Sequence, residues 1–150
     1  MNHIGLQEFT KAGEALGKMT SIVRDWPEIL KVRIRIQEGL KQWGLMQATA
    51  KKLLGHEPGE ASAWISWAHA TRHAQSVQVA RPILLTAIQK HPDDWRLYYD
   101  LACCESQLGD FPSAKEHIKR AFVLDEGCQN TAQAEPDLKP LWESMHTRLW

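Results

Sequence analysis

The chain lacks an apolar run long enough to span a bilayer. Its N-terminus also lacks the basic start and apolar stretch of a signal peptide. Its three cysteines are an odd number without paired spacing, which argues against a disulfide framework and fits a reducing compartment. We therefore expect a soluble protein of the cytoplasm.

Neither sign of charge is in excess, because 18 basic residues balance 18 acidic ones. No global field therefore attracts nucleic acid or an anionic membrane. A glycine-rich phosphate loop is missing as well, which argues against nucleotide chemistry. Nucleic acid is not an expected partner, and peripheral contact with anionic lipid through a basic patch is a minor alternative.

What the chain does contain is an internal repeat. The first copy consists of Trp64, Trp67, Ala68, Thr71, Ala80, Leu84, Ala87 and Pro92. The second copy follows thirty-four residues later and consists of Tyr98, Leu101, Ala102, Glu105, Ala114, Ile118 and Ala121, with Glu126 in place of the proline. A fixed period of this length is typical of an array of stacked structural units.

Each copy predicts two helices that pack closely against each other. Trp64 and Trp67 begin one helical stripe, with further members at the fourth and seventh positions after Trp64. Small residues such as Ala80 on the second stripe allow the two helices to approach closely. Between the helices of the second copy, Gly109 suits a left-handed helix end and Pro112 suits a first helical turn.

This pattern resembles the tetratricopeptide repeat (TPR). The resemblance implies an all-α fold, a right-handed superhelix or α-solenoid of about three helix-turn-helix repeats. An N-terminal half-repeat helix and a C-terminal capping helix would cover its ends. We expect a single domain over residues 1–150, divided into 1–26, 27–60, 61–94, 95–126 and 127–150.

Three segments fit the pattern less directly. Residues 30–36 alternate like a strand, but we favour a helix because a lone strand among helices would have no pairing partner. Residues 6 to about 23 are expected to form the half-repeat helix, with Met19 among its apolar positions. Residues 127–136 have no apolar periodicity and are predicted to be a loop. Leu141, Met145 and Leu149 predict the capping helix that follows.

No catalytic, metal or cofactor site is predicted. His69 and His73 lie four residues apart, as on one face of a helix, but no convincing third ligand is near in sequence. Cys103 and Cys104 are adjacent, so on a helix they point about 100° apart and cannot chelate together. We expect one of them to be buried and the other to face a groove. Spacing alone leaves a Cys/His nucleophile pair open, although no orienting group accompanies it.

The resemblance implies that the first helix of each pair lines a concave face that binds protein. Counting one step off the core stripe, we predict partner contacts for Lys31, Arg35, Ile65, His69, Arg72, Arg96, Tyr99 and Cys103. This set is mostly basic with apolar anchors, so an acidic segment carrying an apolar residue would fit it. Asparagine is missing from this set, which argues against the family's clamp for carboxyl termini.

Two functions fit these expectations. The first is an adaptor that docks on a larger assembly. Overall size, repeat style and the tail at residues 135–142 also resemble, more narrowly, the bacterial kinesin-light-chain-like proteins associated with bacterial tubulin, which would make an acidic filament surface the partner. The second is a chaperone for a secreted or aggregation-prone client protein.

Overall fold

The computed structural model describes residues 3–18 and 21–147. Every regular element within these ranges is helical, which confirms the all-α prediction. No helix in the described ranges is long and apolar enough to cross a membrane. The helices are α1 (His3–Gly17), α2 (Ser21–Arg24), α3 (Pro27–Gly39), α4 (Trp43–His56), α5 (Ala61–Ala74), α6 (Val77–Lys90), α7 (Trp95–Leu108), α8 (Phe111–Leu124), α9 (Cys128–Ala134) and α10 (Lys139–Thr147), with a 3₁₀ helix at Pro136–Leu138.

Contacts divide the chain into two compact units, Met1–Ala74 and Gln75–Trp150. The N-terminal unit contains α1 to α5, and the C-terminal unit contains α6 to α10. The predicted repeat at residues 61–94 comprises α5 and α6, so its first helix belongs to one unit and its second helix to the other. The single domain, the number of repeats and the handedness of the superhelix remain predictions.

The core of the N-terminal unit lies between α3, α4 and α5. Leu30 and Ile34 of α3 are buried with Met46 and Leu53 of α4. The spacing of Leu30 and Ile34, one helical turn, buries both on the same face. The strand-like alternation of this segment is therefore overridden by tertiary packing, and the prediction of a helix is confirmed.

Gly39 lets the N-terminal helix approach α3 closely. A Cβ atom at Gly39 would lie 2.5 Å from the Phe9 ring, so no larger residue fits unless the ring moves. The half-repeat region itself differs from the expectation of one helix to about residue 23, because α1 ends at Gly17 and the short α2 begins at Ser21. Glycine is a poor helix former, which is consistent with an end at this position. Met19 lies outside the described residues.

The centre of the C-terminal unit is the α7–α8 hairpin. Ala102, Ala114 and Ala121 are completely buried, so the two helices are in close contact as the small residues predicted. The turn between the helices has the predicted chemistry. Gly109 adopts the left-handed conformation with φ of 79°, and Asp110 caps α8 by accepting a hydrogen bond from the Ser113 backbone N–H at 3.4 Å.

The prediction of a loop at residues 127–136 is wrong, because α9 occupies most of this segment. Cys128 and Ala132, one turn apart, are buried in the core of the C-terminal unit. Trp142 of α10 donates its indole N–H to the carbonyl oxygen of Ala132 at 3.0 Å, which ties the two helices together. Two small apolar residues form too short a stripe to be recognised as helical periodicity. Leu149, the last apolar position predicted for the capping helix, lies outside the described residues.

Candidate partner-binding site

Helices α3 and α5 of the N-terminal unit carry five of the predicted contact residues, and the two helices meet at His69. The Nε2 atom of His69 on α5 lies 3.4 Å from Oε1 of Glu38 on α3. His69 also meets the ring of Trp43 edge-on at 5.5 Å, and His73 stacks on the same indole at 4.3 Å. The two histidines therefore share one face of α5, as predicted, and Trp43 is a neighbour that sequence spacing did not reveal.

The histidine pair is part of an aromatic cluster. In residues 3–18 and 21–147, no group of three or more His, Cys, Asp or Glu side chains is arranged to hold a metal ion. The rings of His69 and His73 lie 4.8 Å apart and meet edge to face. The geometry supports packing and hydrogen bonding by these rings on the surface of α5.

Lys31 and Arg35 on α3 are in different electrostatic situations. Nζ of Lys31 lies 2.9 Å from Oε2 of Glu57 and 3.6 Å from Oε1 of Glu28, and the contact with Glu57 raises the pKa of the lysine. Arg35 is exposed and forms no ion pair with any described residue. An incoming carboxylate would compete with Glu57 at Lys31, whereas Arg35 presents its guanidinium to solvent. Ile65 and Arg72 on α5 are half-buried.

Arg96 of the C-terminal unit takes part in the capping of α7. Its Nε lies 3.0 Å from Oδ1 of Asp94 and its Nη2 lies 2.7 Å from Oδ2, a two-point pairing. The Arg96 backbone N–H also donates to Oδ1 of Asp94 at 3.0 Å. The hydrogen bonds from Arg96 hold the pKa of Asp94 below its usual value. About half of the Arg96 side chain is exposed, so a partner can reach it.

Tyr99 and Cys103, the remaining predicted contacts, are buried in the C-terminal unit. Tyr99 is 9% exposed and Cys103 is 3% exposed, and both belong to the core around Ile118. Burial raises the pKa of Tyr99, whose hydroxyl has no hydrogen-bond partner among the described residues. Cys104 is also buried, so the expectation that one of the two cysteines faces a groove is wrong. The cause is that α7 is packed against α6, α8 and the C-terminal helices.

A buried polar network within the C-terminal unit was not anticipated. Glu105 on α7 is completely buried and accepts hydrogen bonds from Nε and Nη2 of Arg81 on α6, at 3.3 and 3.1 Å. The second oxygen of Glu105 lies 2.6 Å from Nδ1 of His117 on α8. Arg81 also donates to Oδ2 of Asp110 at 2.9 Å. The available signal was Glu105 itself, an acidic residue at a core position of the repeat, where a buried charge requires partners.

Known structures with a similar fold include MamA 41-end from Desulfovibrio magneticus RS-1, with a TM-score of 0.71 and 14% identity over 84% of this chain and 71% of that chain. MamA MSR-1 C2 matches with a TM-score of 0.67 and 18% identity over 83% and 74%. The TPR2B domain of yeast Sti1, in a complex with pHsp70, matches with a TM-score of 0.68 and 18% identity over 81% and 97%. No protein-family model and no curated protein matches the sequence. The likenesses confirm the tetratricopeptide-type fold, and at these identities they show the fold alone.

Proposed function

We propose that this chain, which has a tetratricopeptide-type fold, is a non-enzymatic interaction scaffold that binds an acidic surface of a partner protein. The contacts come from basic residues on α3 and α5 of the N-terminal unit and, separately, from Arg96 on α7 of the C-terminal unit. One structure of similar fold, the TPR2B domain of yeast Sti1, is in a complex with pHsp70, which supports protein binding as the use of this fold.

The exposure of Arg35 is the observation that carries this proposal. Its guanidinium fits a carboxylate in two-point geometry, and no described side chain of the chain itself occupies it. His69 and Arg72 on α5 extend the basic surface, and Ile65 adds an apolar contact. In the C-terminal unit, Arg96 is a separate contact, which would exchange Asp94 for a carboxylate of the partner. Tyr99 and Cys103 contribute by supporting α7 from within the core.

The narrower form of the proposal names an acidic, tubulin-like bacterial filament as the partner and the cytoplasm as the place of action. It follows from the resemblance to bacterial kinesin-light-chain-like proteins and from the charge of the candidate surface. Co-sedimentation of the purified chain with polymerised bacterial tubulin tests this form directly. Recovery of the chain only in the supernatant would exclude the filament and leave the broader proposal to be tested by partner capture.

Arg35→Glu is the sharpest test of the broader proposal. We expect the affinity for the partner captured from the native host to fall about tenfold or more, because a carboxylate replaces the exposed guanidinium. Lys11→Glu is the matched control, since it makes the same charge change on the exposed face of α1 in the same unit. Circular dichroism should show unchanged helicity in both variants. Equal binding by both variants and the wild-type chain would move the site away from α3.

Exposed apolar side chains favour a second candidate, a chaperone for a secreted or aggregation-prone client. Trp26 is 55% exposed and Leu45 is 57% exposed in the N-terminal unit, and side chains of this kind could hold unfolded apolar segments. Trp26→Ser combined with Leu45→Ser should then abolish client protection in an aggregation assay. Unchanged protection would exclude these residues as the client-binding surface.

A further inference from the structure

An open groove lies at the C-terminal end of the C-terminal unit, between α8, α9 and α10. Its volume is about 840 Å³, within the range of roughly 300–1,000 Å³ that is typical of ligand-binding pockets. The groove is lined by no predicted contact residue of α3, α5 or α7. It is therefore a surface separate from the basic residues considered above.

The floor of the groove is apolar and firmly held. Phe111 and Phe122 of α8 and Trp142 of α10 are half-buried there, and Met145 remains 37% exposed. The indole N–H of Trp142 donates to the carbonyl oxygen of Ala132. A ligand that covers the ring therefore leaves no indole N–H without a hydrogen-bond partner. Covering this floor with apolar atoms of a ligand would remove several large side chains from water.

The rim of the groove is polar, and the one formally charged side chain among its described lining residues is Lys115. Lys115 and His146 line it, and among the described residues no aspartate or glutamate lines it and no carboxylate pairs with either side chain. Gln129 and Gln133 of α9 also line the rim, one helical turn apart. A glutamine amide both donates and accepts hydrogen bonds, which suits the N–H and C=O groups of an extended backbone.

We propose that this groove binds an extended peptide segment of a partner protein that carries a large apolar side chain next to a carboxylate. The apolar side chain covers Trp142 and Met145, the carboxylate pairs with Lys115, and the glutamine amides bond to the peptide backbone. The choice of a peptide rests on the combination of an apolar floor, a lysine at the rim and the amide side chains of Gln129 and Gln133. An apolar floor alone would not favour a peptide over other apolar ligands.

The test uses short peptides selected from a random displayed library against the full chain. We expect the selected peptides to combine an aromatic or branched apolar residue with an aspartate or glutamate within two positions. Titration of one synthetic peptide should shift the side-chain amide resonances of Gln129 and Gln133. Peptides without carboxylates, or shifts confined to other residues, would overturn the proposal.

Two groove variants and one matched control decide whether the peptide lies in the groove. Met145→Glu and Lys115→Glu should each weaken the selected peptide about tenfold or more, because each places a carboxylate against the floor or the rim. Val123→Glu is the control, since Val123 is on α8, is 74% exposed and does not line the groove. Equal affinities for all three variants would refute the assignment.

Other occupants are distinguished in the same series. If sedimentation shows that the wild-type chain dimerises and Met145→Glu does not, the groove belongs to a second copy of the chain and the peptide proposal fails. If peptides bind only after residues 148–150 are deleted, the groove accommodates the chain's own terminus, and the proposal fails as well. Arg35→Glu should leave the affinity for the selected peptide unchanged. The groove proposal and the proposed function can therefore fail independently of each other.

Discussion

At the scale of single residues, Glu105 is the side chain with the most demanding environment. A fully buried carboxylate is tolerated because Arg81 and His117 satisfy both of its oxygens. Arg81 in turn joins Glu105 to Asp110, the residue that caps α8. Hydrogen bonding by Ser113, assisted by the charge of Arg81, holds the pKa of Asp110 below its usual value. One network therefore links α6, α7 and the start of α8.

Replacing Arg81 by methionine should destabilise the protein by about 1 to 3 kcal/mol, because the buried Glu105 loses its guanidinium hydrogen bonds and keeps only His117. Urea unfolding followed by circular dichroism measures the change. Arg120→Met is the matched control, since Arg120 is exposed and lies 3.8 Å from the exposed Asp93, and it should cost less than about 1 kcal/mol.

A second variant separates loss of the charge pair from loss of packing. The double variant Arg81→Met, Glu105→Met removes both charges. It should recover part of the lost stability, because the buried carboxylate that lost its arginine partner is no longer there. If the double variant were less stable than Arg81→Met alone, the cost would come from packing instead of the buried carboxylate.

At the scale of elements, the α7–α8 hairpin depends on small residues where the two helices meet. Ala114 of α8 is completely buried and packs with Ala102 and Cys103 of α7. The turn is set locally by Gly109 and Asp110. The hairpin therefore combines a turn that is encoded in sequence with a helix separation that only alanine-sized side chains permit.

Ala114→Leu tests this close approach. The added atoms have no space between α7 and α8, so we expect a loss of about 1 to 3 kcal/mol in the free energy of unfolding. Lys119→Leu places the same side chain on the exposed face of α8 and should change the stability by less than about 0.5 kcal/mol. If Ala114→Leu were as stable as Lys119→Leu, the interpretation of the alanines as repeat positions would be wrong.

At the scale of the whole molecule, the formal net charge is zero, so the net charge supplies no attraction for an acidic partner. Binding of an acidic partner must then depend on local cations such as Arg35. Apolar binding through Trp26 and Leu45 would depend on burial of surface. The two proposed functions therefore differ in their response to ionic strength.

Raising the ionic strength from about 0.05 M to about 0.5 M should weaken adaptor binding severalfold, because exposed charges are then screened within a few ångströms. A client held by Trp26 and Leu45 should keep its affinity or bind more tightly. Calorimetric titration at the two salt concentrations measures the difference. Salt-independent binding of the captured partner would favour the chaperone and contradict the adaptor.

Much of the helical architecture follows from local chemistry and could be predicted. The helix end at Gly109, the cap at Asp110 and the buried stripe through Ala114 depend on residues within a few positions of one another. The short α9 escaped prediction, since the burial of Cys128 and Ala132 depends on the helices packed against them. Among the predicted contact residues, the exposure of Arg35 could be anticipated from the sequence, whereas the burial of Tyr99 could not.

The sequence by itself determined the helical class, the helix end at Gly109 and the places where alanine must pack. Only the tertiary structure decided which charges meet. Glu105 lies 24 residues from Arg81 and 12 residues from His117, and it bonds to both because α6, α8 and α7 come together. The pairing of Lys31 with Glu57 and the apolar groove beside Trp142 arise in the same way. Propensity and capping act over a few neighbouring residues, whereas ion pairs, burial and grooves depend on which helix faces packing brings into contact.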